Sequence, residues 1–422
     1  MRSWLVLLRA VALSGVAVTA CAGPSFDGAT PDPTTPGDGD PTLGEPPTPT
    51  TDGDGDGPTD ADGDGYIDVI DPSGTLDPEW QDALGEREVD YGAALRTASL
   101  RLRGTLPSLT EIRYVQHAPE PRVAYGQLID QMLADPLFTR RAIDFFRDAF
   151  RMGGGELDTA PVFAAQLLVE DRDFTELLTA DTNTCPTYDR EADTFTPAAC
   201  DNGIAEGQHA GVLTNPAVMR QFYSNLAFRR ARWVQEVFAC SPFPAEIGSP
   251  TDVGGEAPYT APWAWDSISG TDNGGRIDFH DTSSVICANC HATMNHVAPL
   301  FAQFDEDGMW SDEIEVLLPL DESPVAVRSD WLPEGQTTAW RFMEPAPNLQ
   351  ALGMAMAADE DVERCAVTRV WNWAMGHGDV ISNVDLVPAE VVEPYVATYR
   401  SSDHRLRTVV RAIFTADDFV RF

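Results

Sequence analysis

Residues 124–150 read "AYGQLIDQMLADPLFTRRAIDFFRDAF", and the spacing of their apolar positions decides the fold class. Leu128, Ile129, Met132 and Leu133 recur at three- and four-residue intervals, which places them on one face of a helix. The pattern breaks at Asp135-Pro136 and restarts with Phe138, Ala142, Phe145, Phe146 and Ala149. An aspartate accepts the first free N–H groups of a helix and proline suits its first turn, so two consecutive helices are predicted.

The same period extends outward. "NPAVMRQFYSNLAFRRARWVQEVFAC" (215–240) begins with an Asn215-Pro216 cap and is long enough for several turns. Val362, Cys365, Ala366, Val370, Trp373 and Ala374 follow helical spacing, and Leu406, Val409, Val410 and Ile413 form a last amphipathic stretch. Gly/Pro/Asp-rich loops lie between, notably 181–207 and 243–275, and alternating strand patterns are scarce. The body is therefore predicted to be mainly α, with its aromatics in the core.

Towards the N-terminus the composition changes twice. Residues 1–21 combine Arg2 and Arg9 with an apolar run ending Val18-Thr19-Ala20-Cys21. This predicts a secretory signal rather than a membrane span. The last four residues resemble the bacterial lipobox, which implies cleavage before Cys21, lipidation of its thiol and anchoring to a membrane surface. A plain secretory signal is the competing reading. The expected location is the periplasmic face or the cell surface, at the outer membrane. No other stretch is long and apolar enough to span.

Residues 22–80 hold 15 acidic residues, no basic one and 11 of the 32 prolines. Such a segment buries too little apolar surface to offset its ordering entropy, so a disordered, self-repelling tether is expected. Within it, Asp60-Ala-Asp62-Gly-Asp64-Gly65-Tyr66-Ile-Asp68-Val-Ile-Asp71 has the twelve-residue calcium-loop spacing. Side-chain oxygens of Asp60, Asp62, Asp64, Asp68 and Asp71 and the carbonyl of Tyr66 are the expected ligands. Asp71 stands where a bidentate glutamate is usual, and Pro58 and Pro72 deny the loop flanking helices. An acidic Asp/Gly linker without calcium is the alternative.

The formal charge of the whole chain is −39. Setting aside the two arginines of the signal and the fifteen acidic residues of the tether leaves −26, which argues against nucleic acid as a partner. All 28 basic residues are arginine.

The chemistry concentrates in "VICANCHATMNHVAPLFAQFDEDGMW" (285–310), which contains Cys287-Ala-Asn-Cys290-His291. Two cysteines three apart on one helical turn can add to the two vinyl groups of a porphyrin, and the following histidine can bind the iron. One covalent haem c is therefore expected, held by Cys287 and Cys290, with His291 as the proximal ligand. Zinc and a plain disulfide are the rivals. Zinc usually takes four Cys or His ligands, and only His296 and His280 lie nearby. For the sixth iron ligand Met343, in "WRFMEPAPNL", and Met294 are the candidates, with Met309, Met354, Met356 and Met375 behind them. Six cysteines remain after Cys21. With Cys287 and Cys290 in one site, the other four allow three pairings. Cys185 and Cys200 bracket one polar loop and favour a local bridge, which leaves Cys240 and Cys365 to pair.

The 285–310 stretch resembles the C-x-x-C-H signature of planctomycete-type cytochrome-like proteins, exported domains of unknown function. "RLRGTLPSLTEI", "GVLTNPAVM", "RRARWVQEVFACSPFP", "CAVTRVWNWAMGHG" and "LRTVVRAIFTADDFVRF" are similar to their flanking blocks, in the same order. The resemblance implies haem attachment at Cys287 and Cys290, ligation by His291, and a turn at Phe304, Asp305 and Gly308. It departs at His296-Val-Ala-Pro299 and at His377. The expected organisation is a helical domain at 81–205, a cytochrome-like domain at 206–345 and a C-terminal helical domain at 346–422. The expected role is electron transfer or another redox task at the cell surface, with an unidentified redox protein as partner. A structural or adhesion lipoprotein with a non-haem C-x-x-C-H is the alternative. No G-x-S-x-G or H-E-x-x-H occurs, and no catalytic residue is assigned.

Overall fold

The helix break at Asp135-Pro136 is present in the structure. This is a computed structural model that describes residues 85–205, 207–241, 264–265, 282–283, 291, 293–316, 325–332, 335–341, 344–376 and 387–422. Cys21, the calcium-loop residues Asp60 to Asp71, Cys287, Cys290, Met343 and His377 lie outside the described residues, as do the expected signal and the whole of the expected tether.

α1 (Tyr91–Leu102) starts at Asp90, whose Oδ1 accepts from the Gly92 and Ala93 N–H groups at 2.7 and 2.9 Å. α2 (Leu109–Gln116) begins with a reciprocal cap. Ser108 N–H donates to Glu111 Oε2 at 2.6 Å, and Glu111 N–H donates to Ser108 Oγ at 3.2 Å. α3 (Pro121–Leu133) and α4 (Pro136–Phe150) follow, with Asp135 Oδ1 accepting from Leu137 N–H at 2.9 Å. Leu128, Ile129, Met132 and Leu133 on α3, and Phe138, Ala142, Phe145, Phe146 and Ala149 on α4, are all buried. α5 (Thr159–Val169) is apolar on every side and buries nearly its whole length, as expected of a central helix. The one-turn α6 (Glu176–Thr179) leads into a short hairpin, β1 (Thr187–Asp189) against β2 (Thr194–Thr196), with Tyr188 opposite Phe195.

The 215–240 stretch differs from the continuous helical run its composition suggests. It divides into α7 (Pro216–Gln221) and α8 (Phe228–Phe238). Leu226 and Ala227 between them have φ near 50° and 56°, a left-handed conformation that no continuing helix adopts. The redirected α8 carries Arg230 back onto the carbonyl of Met219, near the end of α7.

The minor strands β3 (Ala264–Trp265) and β4 (Thr282–Ser283) pair with each other, as do β5 (Ala339–Trp340) and β6 (Glu344–Pro345). α9 (Leu349–Ala357), α10 (Glu360–Met375), α11 (Ala389–Ser401), α12 (Leu406–Phe414) and the short α13 (Asp417–Val420) complete the chain. Gly353 of α9 sits so close to α6 that a Cβ there would stand 2.1 Å from the Leu178 carbonyl oxygen.

Pro78–Phe422 forms one compact unit. A single hydrophobic cluster runs through residues of all three expected segments, among them Phe146, Phe174, Trp233, Phe301, Val370 and Phe414. The protein is mainly helical, with few and short strands.

Among the described residues, two disulfides fasten the unit. Cys185–Cys200 closes the loop around the β1–β2 hairpin, with Cα atoms 5.1 Å apart. Cys240–Cys365 joins the residues after α8 to α10, with Cα atoms 5.5 Å apart and both side chains buried. These are the two pairs favoured from the sequence. The start and end of the unit also meet. Glu88 N–H donates to Phe422 O at 3.1 Å, and Phe422 N–H donates to Glu88 O at 3.0 Å.

Candidate functional site

His291 is helical, as are residues 293–297, and the 3-10 turn Ala298–Phe301 follows directly. Its imidazole is held on two sides. Nδ1 lies 3.1 Å from Asn295 Oδ1, one turn further along. Phe228, the first residue of α8, meets the imidazole edge-to-face, with ring centroids 4.6 Å apart and planes at 88°. With the Asn295 oxygen as acceptor, this contact favours the tautomer with the proton on Nδ1 and the lone pair on Nε2. Burial pushes the imidazolium pKa down to about 4, with the Asn295 hydrogen bond acting in the opposite direction. At neutral pH the ring is thus uncharged, the form that ligates a metal.

The chain beyond His291 is anchored by a buried charge. Arg230 is fully buried, and all five of its N–H donors reach backbone carbonyls. Nε and Nη2 donate to Met219 O at 3.0 and 2.7 Å. Nη1 donates to Phe301 O at 2.9 Å and Phe304 O at 2.8 Å, and Nη2 donates also to Asp305 O at 2.8 Å. The guanidinium therefore ties α7 and the 301–305 segment to α8. Burial lowers its pKa to about 10, which leaves it charged at any physiological pH.

Phe304, Asp305 and Gly308 form a tight turn. Phe304 bridges to Trp310, and Asp305 Oδ1 accepts from Asp307 N–H at 2.9 Å and Met309 N–H at 2.8 Å. Gly308 has φ 79°, and a Cβ there would stand 2.3 Å from the Pro216 carbonyl oxygen. Glycine is required for both reasons. Trp310 N–H donates to Asn202 O at 2.7 Å, which docks the turn on the loop after the first disulfide.

Met294 is buried in the core, three residues after His291 on the same helical stretch. Of the remaining methionines, Met356 is fully buried, while Met309 and Met354 are exposed. Phe228, Arg230 and Asn295 were not singled out from the sequence. Asn295 carries a readable signal, since it stands four residues after His291 and so on the same helix face. Arg230 carries a weaker one, an arginine in register with the apolar Trp233, Val234 and Val237.

Among the described residues no group of three or more His, Cys, Asp or Glu side chains is placed to hold a metal ion, and no helix is long and apolar enough to cross a membrane. No protein-family model, curated protein or solved structure matches the chain. His291 supplies one imidazole nitrogen, a donor type that haem iron takes. A neutral imidazole whose Nδ1–H is held by an acceptor presents Nε2, the nitrogen that iron takes in such sites.

Proposed function

We propose that the chain is an exported, lipid-anchored protein carrying one covalent haem c, with an electron-transfer role at the cell surface. Cys287 and Cys290 attach the porphyrin by thioethers, His291 ligates the iron through Nε2, and Cys21 carries the lipid. The resemblance to planctomycete-type cytochrome-like proteins supports the same reading. The observation that carries it is the 3.1 Å contact between His291 Nδ1 and Asn295 Oδ1, one turn after the C-x-x-C-H run. Two disulfides in the body agree with an oxidising compartment, where covalent haem attachment takes place.

Bound haem supplies a one-electron Fe(III)/Fe(II) couple. The chain's own contribution is positional. Asn295 holds the Nδ1 proton, Phe228 fixes the ring plane, and Arg230 holds the following turn against α7 and α8. Met343 and Met294 are the proposed distal candidates. The loop Asp60, Asp62, Asp64, Tyr66, Asp68 and Asp71 is a proposed calcium site in the tether, checked by calorimetric titration with calcium chloride.

The deciding experiment is expression with a haem c ligation system, followed by haem staining and a reduced-minus-oxidised spectrum. A stained band and a c-type spectrum, both lost in Cys287→Ser/Cys290→Ser, are expected. An unstained protein whose mass spectrum shows Cys287 bridged to Cys290 overturns the reading in favour of a structural lipoprotein.

A further inference from the structure

A groove of about 390 Å³ runs between α4 and the β1–β2 hairpin that the Cys185–Cys200 bridge staples down. Its volume falls in the range of small-molecule sites. Three arginines and two aspartates line it, and their pairing is uneven. Arg147 is consumed: Nε and Nη2 donate to Asp158 at 2.9 and 2.7 Å, and Nη1 donates to Asp144 at 2.9 Å. Arg140 and Arg190 pair with no carboxylate among the described residues. Arg140 Nη2 donates to the Arg190 carbonyl at 3.1 Å, its guanidinium also stands against the Tyr188 hydroxyl, and its buried Nε has no acceptor. Tyr188 OH is itself engaged with Asp193 at 2.8 Å.

In a chain of formal charge −39, two guanidiniums without carboxylates at one groove are an unusual local excess of positive charge. A buried guanidinium N–H without an acceptor has lost its water and gained nothing in return. The remaining walls, Ile143, Val162, Pro186 and the ring of Tyr188, are apolar.

We propose that this groove binds a small monocarboxylate with an apolar or aromatic body. The carboxylate lies against Arg140 and Arg190, and the body lies against Ile143, Val162 and Tyr188. Arginine's planar fork matches a carboxylate. With Asp144 and Asp158 on the walls and Asp193 behind Tyr188, the groove suits a single negative charge better than two. The site owes nothing to His291, so it stands or falls apart from the haem reading.

The test is calorimetric titration of the purified full chain with sodium benzoate at neutral pH, and of benzoate-loaded protein with sodium phosphate. One saturable benzoate site is expected. Arg140→Gln and the exposed Arg190→Gln each weaken it, Arg140→Gln by roughly tenfold or more, since a charge-assisted hydrogen bond is lost. Arg113→Gln, an arginine outside the groove, leaves it unchanged. Absence of saturable benzoate binding overturns the proposal, as does equal affinity in wild type and Arg190→Gln, a variant whose exposed side chain the fold does not need. Displacement of benzoate by phosphate at lower concentration than benzoate itself overturns the ligand class.

Discussion

Arg230 donates from Nη1 to the carbonyl of Phe304 at 2.8 Å, across 74 residues of chain, while its guanidinium also lies 5.9 Å from the centroid of the Phe304 ring. One side chain thus holds both the backbone and the aromatic face of the turn that follows His291. Replacing it by methionine keeps much of the volume but takes the side-chain donor from the buried carbonyls of Met219 and Phe304, and one of two donors from those of Phe301 and Asp305. The expected loss is about 3 kcal/mol or more in urea unfolding. Arg230→Lys restores the charge but not the five-donor fork, and should recover only part of it. A methionine variant as stable as wild type would show that these carbonyls find other donors.

On the proposed haem reading, Asn295 tunes the electronics of His291 through Nδ1. In haem-loaded protein Asn295→Leu removes the acceptor at Nδ1 and makes the imidazole a poorer electron donor. Fe(III) is then less stabilised, so the midpoint potential rises. Potentiometric titration reads this directly. A potential that stays at the wild-type value would disconnect Asn295 from the iron.

The two disulfides should differ in weight because they close loops of different length. Cys185–Cys200 spans 15 residues and Cys240–Cys365 spans 125. On chain-entropy grounds, removing the first as a double alanine variant lowers stability by about 3 kcal/mol, and removing the second by more than 4 kcal/mol. Chemical unfolding of the two variants checks the order, and the reverse order would mean that the hairpin loop is the more demanding element.

Acid should release stability through paired carboxylates. Burial pushes Glu111, Asp158 and Asp361 upward, yet all three end below the ordinary carboxylate range. Arg103 and Ser108 draw Glu111 down, Arg147 and the Gly154 N–H draw Asp158 down, and Arg341 and Arg364 draw Asp361 down. A carboxyl whose folded pKa lies below its unfolded one contributes its full share above the unfolded value. That share is lost as pH falls through the folded value. Glu111→Gln therefore lowers the thermal midpoint at neutral pH, by a free energy of about 1 kcal/mol. The gap to wild type closes below the ordinary carboxylate range. A gap that persists unchanged in acid assigns the effect to packing instead.

Local signals carried far in this chain, and long-range ones did not. Asp135-Pro136 is visible in sequence because it satisfies backbone groups within three residues of itself. The apolar faces of α3, α4 and α12 follow from period alone. The division of 215–240 into two helices was not legible. It depends on left-handed backbone at Leu226 and Ala227, residues with no turn preference, and on Arg230 acceptors 71 to 75 residues away. The Cys185–Cys200 bridge announced itself by closeness, whereas Cys240–Cys365 followed only by elimination. At the candidate site His291 was legible from its motif. Its edge-to-face partner Phe228 was not, because nothing in either segment encodes that α8 packs there.

The double hydrogen bond between Glu88 and Phe422 has a practical corollary. Because the two backbones lie side by side, a linker of a few residues suffices to join them, and the ring so formed could be reopened at an exposed loop such as Ala118–Glu120. Such a circular permutant of residues 88–422 would move both of its ends to the loop between α2 and α3. Any tag or surface attachment placed there would then present the body in a different orientation.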